Sequence, residues 1–303
     1  MSDAEARHCG LVAIVGRPNV GKSTLMNHLL GQKVSITSRK PQTTRHRIHG
    51  ILTREHYQIV FADTPGLHSG QSRALNRSMN EAAMSALSGV DLICFMVDST
   101  KWTEGDEHVL SLLERAGDTP VILVVNKVDQ VEDKSVLLPH LQALGERRAF
   151  AELIPVSALG GHNLEELEVA IAKRLPQGEF WFDEDQLTDR SLRFMVAEII
   201  REKVVRQLGQ ELPHQMTVEI DLWQDGPKVT EIAATILVER RGQKKILIGE
   251  GGDRIKKIGM QARQDIENLI ERQVMLTLWV KIKAGWSDDE RALRSLGYDD
   301  RQN

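Results

Sequence analysis

Short, nearly continuous apolar runs mark the first half of the chain, and segments with apolar residues three and four apart lie between them. LVAIVG (11–16) reads as a buried strand, followed by a helix from Lys22 to about Leu30. HYQIVFADT ends in a second strand, VDLICFMVD (90–98) gives a third, PVILVVNK (120–127) a fourth and ELIPVSA (152–158) a fifth. Strands this apolar, separated by amphipathic helices, predict an α/β architecture: a mostly parallel sheet with helices on both faces. Ligands in such sheets bind at the carboxyl ends of the strands.

The pattern then breaks. A helix around 164–175 is followed by PQGEFWFDEDQLTDRS, which is polar, acidic and without periodicity, and which reads as an interdomain linker. Ser191 is placed to cap a new helix, with Leu192, Met195, Val196, Ile199 and Ile200 at helical spacing. MTVEIDLW alternates as a strand, TEIAATILVER reads as another, and KKILIG as its extension or a third. A helix from about Arg254 and a closing strand, VMLTLWVKIKA, follow. GWSDDERALRSLGY has the pattern of a short amphipathic helix anchored by Trp286. The expected division is a first domain at 1–176, a linker at 177–190, a second α+β domain at 191–285 and a tail at 286–303.

Composition adds three constraints. A length of 303 residues suits two domains, and 41% hydrophobic with 27% charged residues marks a globular chain. The net charge of -4 alone argues against a nucleic-acid partner, but residues 240–283 carry eleven Lys/Arg against five Asp/Glu. A basic segment in an acidic chain points to nucleic acid better than the total does. Cys9 and Cys94 are too few for a disulfide framework and sit beside or within apolar runs, as packing thiols do. The start, MSDAEARHCG, lacks a signal-peptide core, and no apolar run approaches the roughly 18 residues of a membrane span. A cytoplasmic or at most peripheral protein is expected.

Gly16-Arg17-Pro18-Asn19-Val20-Gly21-Lys22-Ser23, with Thr24 after it, matches G-x-x-x-x-G-K-[ST] between a strand and a helix. Glycines there let backbone N–H groups and the helix N-terminus face phosphates. Lys22 is expected to neutralise the β- and γ-phosphates, and Ser23 to ligate Mg2+. Asp63-Thr64-Pro65-Gly66 follows the second strand. Alone it is compatible with a simple turn, but beside the phosphate loop it assigns Asp63 to Mg2+ and the Gly66 N–H to the γ-phosphate. Between these motifs SRKPQTTRHR reads as a mobile basic loop that brings a Thr to the metal, Thr44 in preference to Thr43.

Asn126-Lys127-Val128-Asp129 supplies a carboxylate for guanine N1–H and N2–H2. Adenine lacks those donors and would leave the carboxylate unpaired. Ser157 and Ala158 are placed to contact guanine O6. These motifs in order predict GTP and GDP as ligands, with Lys22, Thr44 and Gly66 nearest the chemistry. Leu67, after the DTPG motif, cannot orient water as a Gln does in small Ras-like switches. Slow turnover is therefore expected, with backbone groups, a potassium ion near Asn19 or a partner completing the site.

In the second domain, Ile248-Gly249-Glu250-Gly251-Gly252 carries G-x-x-G, with Arg254, Ile255, Lys256 and Lys257 after it and Lys244 and Lys245 before it. K-homology domains use such a loop to bring single-stranded nucleic acid against the backbone. Glu250 and Gly251 are not basic, so the surrounding lysines are expected to supply the phosphate charge. Trp223, Trp279 and Trp286 are candidates for base stacking, although strand positions make core packing the plainer role of the first two.

GRPNVGKST, SITSRKPQTTRHRI, DTPGLH, NKVD, TDRSLRFMVAEIIREK, VERRGQKKILIG and the tail motif together resemble the Era family of Ras-like bacterial GTPases over essentially the whole chain. Gly251 departs from the basic residue frequent at that position in the family. The resemblance implies a Ras-like P-loop NTPase domain joined to a type II K-homology domain. It also implies binding to the 3′ end of 16S rRNA in maturation of the 30S ribosomal subunit, with peripheral inner-membrane association. A monomer is expected.

Overall fold

A computed structural model describes residues 6–38, 40, 43–66, 84–85, 87–114, 117–133, 135, 137–208, 216–289 and 293. Leu67 and most of the tail lie outside these residues. The chain forms two compact units, the second beginning at Arg190, and the segment Ile36–Thr43 groups with the second.

In the first unit β1 (His8–Val15), β2 (Ile48–Thr53), β3 (Tyr57–Asp63), β4 (Leu92–Asp98), β5 (Val121–Asn126) and β6 (Glu152–Val156) form one sheet in the order β2-β3-β1-β4-β5-β6. Every neighbouring pair is parallel except β2–β3, which is antiparallel. The sequence reading missed β2, because IHGILT is short and follows a long polar loop. Ala13, Val15, Ile93, Phe95 and Val97 pack on one face with α2 (Glu104–Leu113) and α3 (Leu137–Gly145). Their alternate neighbours Val12 and Ile14 are equally buried, on the side of α1 (Lys22–Leu30) and α4 (Leu164–Ala172). Two covered faces explain why these strands are apolar throughout. Cys9 and Cys94 are buried free thiols.

The segment read as a linker is strapped to this unit up to Asp189. Gln58, fully buried, accepts from the N–H groups of Trp181 and Phe182 at 2.9 and 3.1 Å and donates to the Phe182 carbonyl at 2.9 Å. The Ile51 N–H donates to the Leu187 carbonyl, and Gly50 pairs with Thr188.

The second unit packs α5 (Leu192–Gln207), α6 (Arg241–Ile248) and α7 (Asp253–Ile270) on a three-stranded sheet. Its strands are β7 (Met216–Asp225), β8 (Val229–Val238) and β9 (Gln273–Ile282), in the order β7-β8-β9, with β7–β8 antiparallel and β8–β9 parallel. Ser191 caps α5 by accepting from the Phe194 N–H. KKILIG is a helix, α6, and not the strand its isoleucines suggested. Gln243 and Leu247 face the core while Lys245 between them is exposed, whereas a strand would put all three on one face. Trp286 is 1% exposed, while Trp279 is 59% exposed and so is not a core residue. No helix among the described residues is long and apolar enough to cross a membrane.

Candidate functional site

The phosphate-loop motif links β1 to α1 through backbone that favours glycine. Gly21 has φ +112°, and a Cβ there would stand 2.3 Å from Asn126 Nδ2. The close approach lets Asn126 Nδ2 donate to the Val20 carbonyl at 2.7 Å, tying β5 to the loop. The Lys22 ammonium is buried and donates to the carbonyls of Gly16 at 3.0 Å and Arg17 at 3.1 Å, which brings its charge over the loop. Burial pushes Lys22 down to about 8, opposed by the Asp63 carboxylate and assisted by repulsion from Arg17. Arg17 turns away, pairing with Asp106 at 3.0 Å and Asp98 at 3.6 Å.

Ser23, Thr44 and Asp63 converge. Ser23 Oγ donates to Asp63 Oδ2 at 2.7 Å and lies 2.9 Å from Thr44 Oγ1. Thr43 turns elsewhere, its hydroxyl donating to the Lys40 carbonyl and lying 2.7 Å from Ser38 Oγ. Ser35, which the sequence reading did not single out, also donates to Asp63 Oδ2 at 2.8 Å. Burial raises the Asp63 carboxyl above its ordinary range. Hydrogen bonds from Ser23, Ser35 and Thr44, with the Lys22 charge, offset only part of that rise. Asp63 Oδ1 is buried and accepts no hydrogen bond among the described residues. One carboxylate with a free oxygen and two hydroxyls is a donor set that fits a hard divalent cation such as Mg2+, which takes its remaining ligands from phosphate and water. Gly66 lies so close to the loop that a Cβ would stand 2.9 Å from Pro18 Cα. Thr64 donates to the Ile14 carbonyl, fixing the turn after β3 to β1.

The residues expected from the sequence to recognise the base form a second cluster. Lys127 adopts a left-handed conformation (φ +68°), and its ammonium donates to Asp98 at 2.7 Å. Although burial acts to raise it, Asp98 is held below the ordinary carboxylate range by hydrogen bonds from Lys127 and Thr100. Asn126 Oδ1 accepts from the Ala158 N–H at 2.8 Å, and Ser157 Oγ donates to the exposed Asp129 at 2.5 Å. Val128 and Asp129 lie on the 3-10 turn after β5. Asp98 escaped the sequence reading, yet its position at the carboxyl end of a strand was a usable signal.

The loop expected to be mobile is held in part by α5. Within the second unit the Thr37 N–H donates to Glu202, Arg206 donates to the Thr37 carbonyl, and Lys40 donates to the carbonyls of Val205 and Leu208.

Gly249, Gly251 and Gly252 all have positive φ, and they turn the chain from α6 into α7. Beside this turn lies a groove of about 340 Å3 between α7 and β9, lined by Ile255, Lys256, Gly259, Met260, Arg263, Leu276 and Leu278. Ile255 and Lys256 from the expected set line it. Lys257 is exposed outside the lining, Lys245 is exposed on α6, and Lys244 is half-buried. Ile248, Gly249, Glu250, Gly251, Gly252 and Arg254 lie in or beside the turn, with Arg254 donating to the Ile246 carbonyl. Met260, Arg263, Leu276 and Leu278 were missed, since nothing local in their sequence reveals which strand faces α7.

A family model described as a 50S ribosome-binding GTPase matches residues 11–127, and one described as a KH domain matches 211–287. GTPase Era of Pseudomonas fluorescens (strain Pf-5) is 59% identical over 300 residues, covering 99% of this chain and all of that protein. The chain belongs to the Era family of GTPases. Era of Azotobacter vinelandii is equally similar, 59% identical over 99% of the chain. An Aquifex aeolicus Era variant bound to GDP·AlF4- superposes with a TM-score of 0.93 at 41% identity, covering 96% of this chain and 99% of that one. An Era complex with MgGDPNP and nucleotides 1506–1542 of 16S rRNA gives the same values. The Era assignment makes this chain a GTPase with a K-homology domain.

Proposed function

We propose that this Era-family GTPase binds the 3′ end of 16S rRNA through the groove between α7 and β9, and that GTP hydrolysis times its release during 30S subunit maturation. The carrying observation is the groove itself: an apolar floor with Lys256 and Arg263 on one wall, beside a three-glycine turn. This geometry suits unstacked bases flanked by phosphates. The Era relative crystallised with nucleotides 1506–1542 of 16S rRNA supports the choice of RNA.

At the nucleotide site we assign Gly16 to Thr24 to the phosphates, Asp129 to guanine N1–H and N2–H2, and Ser157 and Ala158 to O6. Asn126 holds the base-recognition loop to the phosphate loop. Ser23, Thr44 and Asp63 would hold Mg2+, which when bound neutralises charge on the β- and γ-phosphates. Lys22 brings its buried ammonium to the same oxygens, and the Gly66 N–H faces the γ-phosphate. Leu67 offers no group to orient water, so intrinsic turnover is slow. We further propose a cytoplasmic monomer, peripheral at the inner membrane.

Crosslinking the protein to cellular RNA and sequencing the bound fragment tests the partner, with the 3′ end of 16S rRNA as the expected recovery. Lys22→Ala tests the timer: GTP affinity falls and RNA affinity ceases to depend on nucleotide. RNA affinity and ribosome association that nucleotide state leaves unchanged would refute the timing role.

A further inference from the structure

Side chains of β9 alternate between two faces, and only one of them belongs to the groove. Leu276 and Leu278 face α7 and line it. Met275, Thr277, Trp279 and Lys281 therefore face the opposite side of the sheet. Trp279 is 59% exposed there and Met275 52%. A large indole left this accessible on a regular strand is unusual, because burial would remove its apolar area from water.

The surroundings of Trp279 favour a polyanion. β9 and the two residues after it contain no Asp or Glu, while Lys281 and Lys283 are exposed two and four positions beyond Trp279. Its partner on β8 is Thr235, a buried neutral residue. Of the acidic residues near this face, Glu219, Asp221 and Glu231 lie on β7 and β8, where Asp221 accepts from Thr235, and Glu239, just past β8, accepts from Ser287. Among the described residues β9 is also an edge strand, with β8 on one side only. A single strand leaving the groove can thus pass over that edge and meet the indole on the far face.

We propose that Trp279 is a base-stacking platform that continues the single-stranded RNA path around the edge of β9, with Lys281 and Lys283 contacting the phosphates beside the stacked base. The proposal rests on the groove as the RNA site. Aromatic stacking needs no particular base, so Trp279 adds affinity and length to the site without adding sequence preference.

The test compares single-stranded RNA of four nucleotides, which a K-homology groove accommodates, with the same sequence lengthened to about ten. Full-length protein is used, with circular dichroism confirming the fold of each variant. Trp279→Ala should weaken the longer RNA by roughly tenfold and leave the shorter one unchanged, while Trp279→Phe retains most of the wild-type affinity. Lys256→Ala should weaken both lengths. If Lys256→Ala weakens both while Trp279→Ala changes neither, the platform is wrong and the groove stands. The platform is likewise wrong if Trp279→Leu matches Trp279→Phe, or if Trp279→Ala loses binding to anionic lipid vesicles but not to RNA. Wild-type protein that binds neither RNA overturns both readings together.

Discussion

Asp129, proposed to read the guanine base, is an exposed carboxylate held in place by its neighbours. Ser157 donates to it, and Asn126 fixes Ala158 and the phosphate loop at once. An Asp129→Asn side chain keeps that shape but offers an N–H where guanine also offers one. We predict that Asp129→Asn lowers GTP affinity at least a hundredfold, on the order of 3 kcal/mol for unpaired buried donors, and gains affinity for xanthosine triphosphate. Competition binding with the two nucleotides checks it, and retained guanine preference would remove Asp129 from the base site. Gly21 carries a different constraint, since a Cβ would collide with the Asn126 amide. Gly21→Ala should therefore break the bond between Asn126 and Val20 and reduce affinity for GDP and GTP alike, measurable by titration calorimetry. At this scale the sequence was highly legible, because each motif is a continuous run whose chemistry is local. Ser35 was not, because it reaches the site only through the folded loop, and Asp98 was marked only by its place at the carboxyl end of β4.

Among the elements, legibility followed length and neighbours. β1, β4 and β5 were readable because central parallel strands are apolar on both faces. α6 was misread because ILI within KKILIG fits a strand or a helix equally well, and what decides it is that Lys245 is exposed between the buried Gln243 and Leu247. The acidic stretch after α4 looked like free linker since it has no period. Its hold on the first unit comes from backbone groups meeting the buried Gln58 side chain and the backbone of β1 and β2, and such partners leave no hydrophobic pattern. Gln58→Leu would leave the N–H groups of Trp181 and Phe182 without their acceptor, at about 1–3 kcal/mol for each group kept from water. We predict a loss of roughly 2–3 kcal/mol in denaturant unfolding, together with new protease cleavage between 177 and 189. A loss below about 0.5 kcal/mol, with no new cleavage, would show that the strap is held by something else.

For the whole molecule the decisive property is the unevenness of charge. A net of -4 that includes +6 from residues 240–283 leaves -10 on the rest of the chain. A polyanion approaching this protein is drawn to the second unit and repelled by much of the remaining surface, so the RNA interface should be compact and its salt dependence modest. Counterion release from a single strand lowers the slope of log K against log salt by about 0.7 per neutralised phosphate. Lys256 and Arg263 line the groove, whereas Lys257 is exposed outside it. Lys256→Ala and Arg263→Ala should each reduce the slope by roughly 0.7 and weaken RNA of different sequences to a similar extent. Lys257→Ala should change it less, a distinction that the IKKI motif alone does not make. Binding titrations from 50 to 300 mM salt, at about a nanomolar to micromolar range of protein, would resolve slopes of this size. Equal effects of Lys256→Ala and Lys257→Ala would place the phosphate path over the solvent face of α7 and not in the groove. Unchanged slopes in all three variants would move the electrostatic contact to α6, where Lys245 is exposed.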